Sequence, residues 1–374
     1  MEFINRVSGL ALAVGLGFAG GAAQAEVPQV VTDIPPVHSL VARVMQGVGE
    51  PVLMVPPGAS PHGYSLKPSE GRALSKAEIV VMVGGRLSPW LDEAADSLAP
   101  EAARVVLLGE ETTIRYPFRA GHVHAHGDED GHEEHAKEEH DHEEHAKEEH
   151  DHEEHAKEEH DHEEHAKEEH DHEEHAKEEH DHEEHAKDEH DHEEHAADLL
   201  QTDPHAWLDP ENGKAWLMDV AEALAEADSE NAETYRTNAR AGVAEIDAAV
   251  ARITPALADV KDKRFVVFHD SYQYFERRFG LSPALAIRLG DAVQPGPRRI
   301  SELRAEVSAA NITCAFTEPQ FNAQLIDTVF ENTTVRIATL DPLGVDVTPG
   351  PGLYPAVIEG IGTAIAGCLG ADTE

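Results

Sequence analysis

Histidine is the residue type in this chain with most scope for chemistry, and its members fall into two sets. Residues 122–197 hold 23 of the 27. The other four are His38, His62, His205 and His269, and three of these sit in contexts that suit a ligand site. His62 lies in Pro56-Pro57-Gly58-Ala59-Ser60-Pro61-His62-Gly63-Tyr64, a turn-rich loop directly after a strand-like run. His205 lies in Asp203-Pro204-His205-Ala206-Trp207-Leu208-Asp209-Pro210, stiffened by a proline at each end and placed just before a helix. His269 ends the apolar run Phe265-Val266-Val267-Phe268 and is followed by Asp270. Three imidazoles suit Zn²⁺, which takes four ligands in a tetrahedron. The fourth is either Asp341, at the end of another strand-like run in Leu340-Asp341-Pro342-Leu343-Gly344, or water. His38 opens an apolar helix and reads as structural.

The larger set belongs to a repeat of period ten, Asp141-His142-Glu143-Glu144-His145-Ala146-Lys147-Glu148-Glu149-His150 and its copies. No unit carries an apolar face, so stacking into a solenoid is excluded and disorder is expected. On a helix the three-residue spacing of His142 and His145 puts both rings on one face; His140 and His142 are close in an extended chain. Together with His132 and His135 they typify many weak, interchangeable sites for Zn, Cu or Ni.

The repeat also carries most of the charge. The chain has 74 Asp and Glu against 29 Lys and Arg, a formal net charge of −45. Residues 122–197 account for about −29 of this, and the remaining 298 residues form a mildly acidic globular protein. A nucleic-acid partner would need clustered Lys and Arg, and none is expected. Residues 1–25 read as a signal peptide: Arg6, an apolar run from Val7 to Ala19, then Ala23-Gln24-Ala25 as the cleavage site, so that the mature chain begins near Glu26. No later stretch reads as long and apolar enough to span a bilayer. In the oxidising compartment that export implies, Cys314 and Cys368 pair, or else are two unrelated buried thiols.

The ligand candidates need elements to hold them. Strand-like runs at 30–33, 52–55, 78–83, 104–108, 265–268, 284–288, 312–316 and 335–340 alternate with helix-like segments. Alternation of this kind gives parallel sheets covered by helices on both faces. The expected fold is α/β: two parallel-sheet lobes joined by a long backbone helix, with the metal site in the cleft between them, where strands end. The expected divisions are signal peptide 1–25, N-terminal lobe 26–121, His/Glu/Asp-rich insert 122–197, end of the first lobe 198–228, linking helix 229–260 and C-terminal lobe 261–374.

These motifs, with Phe268-His269-Asp270-Ser271-Tyr272, Gln294-Pro295-Gly296 and Thr317-Glu318-Pro319-Gln320, occur in an order that resembles the periplasmic zinc-binding proteins of ABC uptake systems, over nearly all of the mature chain. The resemblance implies zinc ligands at His62, His205 and His269, a disulfide between Cys314 and Cys368, and a charged His-rich loop before the second ligand. Manganese relatives carry a carboxylate at the position of His269, so the imidazole favours zinc. The implied function is a monomeric periplasmic receptor that delivers Zn²⁺ to an inner-membrane permease with its ATPase; a periplasmic zinc chaperone is a further candidate partner. Two other classes compete with it. One is a zinc store, buffer or chaperone centred on the repeat. The other is a zinc enzyme, for which Asp270 and Glu318 are the nearby acids but no HExxH or nucleophile–base set is present.

Overall fold

A computed structural model describes residues 27–119, 201–288, 296–322 and 324–371. The signal peptide, the repeat with His132, His135, His140, His142 and His145, and Gln294-Pro295 lie outside the described residues. Among the described residues, eight short strands form two parallel sheets. The first contains β1 (Val30–Thr32), β2 (Val52–Leu53), β3 (Ile79–Met82) and β4 (Ala103–Val106) in the order β2-β1-β3-β4. The second contains β5 (Val266–His269), β6 (Leu285–Arg288), β7 (Cys314–Thr317) and β8 (Arg336–Thr339) in the order β6-β5-β7-β8. The central strands β1, β3 and β5 are buried throughout, as expected of runs rich in Val and Ile covered on both faces. In each sheet the order reverses beside the first strand, between β1 and β3 and between β5 and β7. At such a point the loops leave in opposite directions and open a crevice at the carboxyl ends of the strands.

Nine helices are described: α1 (Pro35–Val44), α2 (Pro68–Leu74), α3 (Pro89–Leu98), α4 (Pro210–Ala227), α5 (Ala232–Ala258), α6 (Gln273–Phe279), α7 (Pro297–Ala309), α8 (Gln324–Phe330) and α9 (Leu353–Gly370). Five of them begin on proline, whose fixed φ and missing N–H suit the first helical position. The long α5 buries Tyr235, Ala239, Gly242, Ile246, Ala249, Ile253 and Leu257. Steps of three and four residues draw one apolar stripe along its whole length. That stripe lets one helix pack against α4, α9 and α1, and a single apolar core runs through residues of β1, α1, α4, α5, β5 and α9.

One expectation is corrected by α9. With 18 residues it is long and apolar enough to cross a membrane by length and composition. Its Leu353, Tyr354, Val357, Ile358, Ile361 and Ile365 are nevertheless buried inside the protein, where α9 packs on α5 and α1. The sequence run looks membrane-like because the helix sits at the meeting point of several others, and little of its circumference is polar.

Cys314 and Cys368 are bonded, with their Cα atoms 6.1 Å apart. The bridge ties the first residue of β7 to the last turn of α9 and closes a loop with a sequence separation of 54. In the chain-entropy view, such a loop removes roughly 4 kcal/mol of freedom from the unfolded state. Replacing both cysteines by serine is expected to lower unfolding stability by about that amount, read in urea as a lower midpoint with a steeper slope, since the uncrosslinked chain unfolds to a more open state.

Candidate metal centre

Each of the three ligand candidates is placed by a different local device. His269 is the last residue of β5, beside the point where the second sheet changes direction. His205 precedes the turn Ala206–Leu208 that leads into α4. This turn is held by Tyr354 of α9, whose hydroxyl donates to the carbonyl of Trp207 at 2.8 Å. Tyr354 reaches it across Gly213: a Cβ there would lie 2.2 Å from the hydroxyl oxygen. His62 sits in the single turn Pro61–Gly63. Trp90 of α3 fixes this turn by donating its indole N–H to the carbonyl of Pro61 at 2.8 Å. The loop before it turns at Gly58, whose φ of +85° favours glycine.

The candidate ligand atoms of His62, His205 and His269 all lie within 4.8 Å of one another. His205 and His269 are buried and His62 is half-buried. The Nδ1 of His205 is 2.7 Å from Oδ1 of Asp203, and the Nδ1 of His269 is 2.7 Å from Oε1 of Glu318. A carboxylate only accepts, so each Nδ1 carries the proton and each Nε2 presents a lone pair. The two Nε2 atoms face each other at 3.4 Å. Two lone pairs at that distance repel unless a cation lies between them. Tetrahedral zinc with Zn–N bonds of about 2.05 Å holds its nitrogens about 3.3 Å apart, so this pair is already spaced for one ion.

Charge balance points the same way. Asp203 and Glu318 are 2% and 3% exposed, and two buried carboxylates behind three neutral rings match the charge of a divalent cation. Asp203 also accepts from the backbone N–H of His205 and from Nε2 of Gln273. The cavity itself is about 20 Å³ and is walled by Trp207, Phe321, Pro342 and Leu343. Such a space suits one ion and a bound water rather than an organic substrate.

Asp341 is not brought into this group. One carboxylate oxygen accepts from the backbone N–H of Leu343 and Gly344 at 3.1 and 2.9 Å, and the other accepts from that of Val345. Gln320 donates to it as well, at 3.2 Å. The residue thus closes the turn after β8, as a short carboxylate before proline is suited to do. That turn matters to the cleft: the carbonyl of Pro342 accepts from the indole N–H of Trp207 at 2.9 Å. His38 also stands apart, with a ring nitrogen 3.2 Å from the carbonyl of Pro51; burial holds its pKa below the usual histidine value. Of the two acids suspected of catalysis, Glu318 orients His269 and Asp270 lies 3.4 Å from the guanidinium of Arg119.

Sequence reasoning missed several supports of the site. Asp203 lay in plain view two residues before His205 but read as part of a stiff bracket. Asp209 caps α4 through Glu211 N–H and is gripped by Arg278 of α6 at 2.6 and 2.8 Å. Arg119 also pairs with Glu276. Burial raises the Glu276 carboxyl to about 7 despite that partner. Pro117 and Thr202 form an antiparallel bridge, flanked by hydrogen bonds from Phe118 to Gln201 and from Asp203 to Tyr116. Residues 118 and 201 therefore meet two positions from Asp203.

Two parallel α/β lobes on a long helix, with clustered imidazoles in the cleft, define a metal-binding solute receptor. Residues 30–368 match the family model described as ZnuA, the periplasmic component A of a zinc-uptake complex. The high-affinity zinc uptake system protein ZnuA of Paracoccus denitrificans is 44% identical over 368 residues, covering 98% of this chain and 99% of that one. The protein of the same name from Brucella abortus is 40% identical over 364 residues, covering 96% and 97%. A crystal structure of ZnuA superimposes with a TM-score of 0.63 at 21% identity, over 92% of this chain and 99% of the other. The chain belongs to the ZnuA family.

Because Asp203 and Glu318 set the tautomer of the two buried rings, Asp203→Ala and Glu318→Ala are each expected to weaken divalent-metal binding about tenfold to a hundredfold. Competition against a chromogenic chelator reads this directly.

Proposed function

We propose that this protein is a periplasmic receptor that captures Zn²⁺ through His62, His205 and His269, with water in the fourth position. The observation that carries the reading is the pair of buried imidazoles whose Nε2 atoms stand 3.4 Å apart, each backed by a buried carboxylate. Family membership supports zinc as the cargo, and three imidazole nitrogens suit it better than the harder manganese ion. The receptor passes its ion to an inner-membrane ABC permease with a cytoplasmic ATPase. Export follows cleavage after Ala25.

The insert 122–197 is proposed as an auxiliary store that raises the zinc concentration near the cleft. The described residues that flank it support this, since Phe118 and Gln201 are hydrogen-bonded two positions from Asp203, the carboxylate that orients His205. Zinc competition titrations on three proteins test the whole reading. The full mature chain and a variant lacking residues 122–197 are each expected to keep one tight site. A variant with His62, His205 and His269 all changed to alanine is expected to lose it. If the tight site disappears with the insert instead, the protein is a zinc store or buffer and the cleft is not its main organ.

A further inference from the structure

Gln320 follows β7 in Thr317-Glu318-Pro319-Gln320 and lines the same cavity as the three imidazoles. Its Nε2 donates to Oδ1 of Asp341 at 3.2 Å. Asp341 is itself fixed by three backbone N–H groups. A carboxylate only accepts, so the amide is locked with its nitrogen toward Asp341 and its oxygen the other way. That oxygen, Oε1, is buried and has no hydrogen-bond partner among the described residues. A buried carbonyl oxygen left without a donor is unfavourable, and Gln320 lines the space where three imidazoles leave a tetrahedral ion one position short.

We infer that Oε1 of Gln320 accepts a hydrogen bond from the water that completes the zinc sphere, and so decides what the fourth ligand is. The inference rests on the receptor reading above. A water molecule brings the donor that Oε1 lacks. An anion such as thiocyanate brings another lone pair and is repelled. Gln320 is therefore a positioning residue that keeps the fourth position for a neutral, exchangeable ligand, and Asp341 acts through it by holding the amide in one orientation.

Gln320→Leu separates this role from a merely structural one, because the two readouts move in opposite directions. The variant is expected to bind zinc about tenfold more weakly. Its Co²⁺-loaded form is expected to bind thiocyanate about tenfold more tightly, followed by the visible d–d bands. Gln320→Glu keeps an acceptor oxygen, so its Co²⁺ form is expected to stay as resistant to thiocyanate as the parent. Weaker zinc binding by Gln320→Leu with unchanged thiocyanate affinity would reduce Gln320 to a support for the Asp341 turn and overturn the inference. Unchanged zinc and thiocyanate affinities would overturn it too. Failure of the underlying reading looks different: the parent protein itself would show no intense tetrahedral Co²⁺ bands, whatever residue 320 is.

Discussion

Everything around the cleft follows from one electrostatic constraint. Imidazole nitrogens that are to share an ion must point their lone pairs at one another, and in the absence of the ion those lone pairs repel. The arrangement persists because each buried ring is fastened from behind. Asp203 holds His205 and Glu318 holds His269, both at 2.7 Å. The carboxylates themselves need donors in a place where water is scarce. Asp203 finds them in the backbone N–H of His205 and the side chain of Gln273. Once fixed, the site is two negative charges behind three neutral rings, which is the complement of a divalent cation.

The fold supplies these groups from places that a parallel sheet makes rigid. His269 and Glu318 stand at the carboxyl ends of β5 and β7, neighbouring strands on either side of the reversal in strand order. His205 comes from the approach to α4 and is steadied by α9 through Tyr354. His62 rides on a turn pinned by Trp90. Three of these supports reach across the sequence by 29, 49 and 147 residues, so site geometry depends on the whole core. The bidentate Arg278–Asp209 contact joins α6 to the start of α4 in the same way. Anchors at such range hold the rings in place ahead of the ion, and pre-organisation of this kind lowers the ordering cost of capture.

How much of this could be read from the sequence depended on range. The central strands were legible because buried parallel strands are continuous apolar runs, as in Ile79–Met82, and five helices announced their starts with proline. The three histidines were legible because each followed or preceded a strong local signal. Asp341 was ambiguous for a reason of chemistry: the short carboxylate that can bind an ion can equally close a turn, and three consecutive N–H groups claim it. Gln320 gave no local signal at all, since its significance lies in a contact with a residue 21 positions later. The run of α9 did not read as a membrane span, yet it passes that test by length and composition, because burial among helices and burial in lipid select the same side chains.

The bridge between Pro117 and Thr202 has a consequence for how this chain can vary. Pro117 and Thr202, which flank the insert, are fastened to each other, so the fold fixes the two points from which the insert is strung and leaves its length open. The entropy of closing a chain between fixed ends grows only logarithmically, by about 0.6 kcal/mol for each doubling. Units can therefore be gained or lost in whole decades of residues with almost no effect on folding stability. Copy number becomes a quantity that replication slippage and selection can adjust independently of the receptor that carries it.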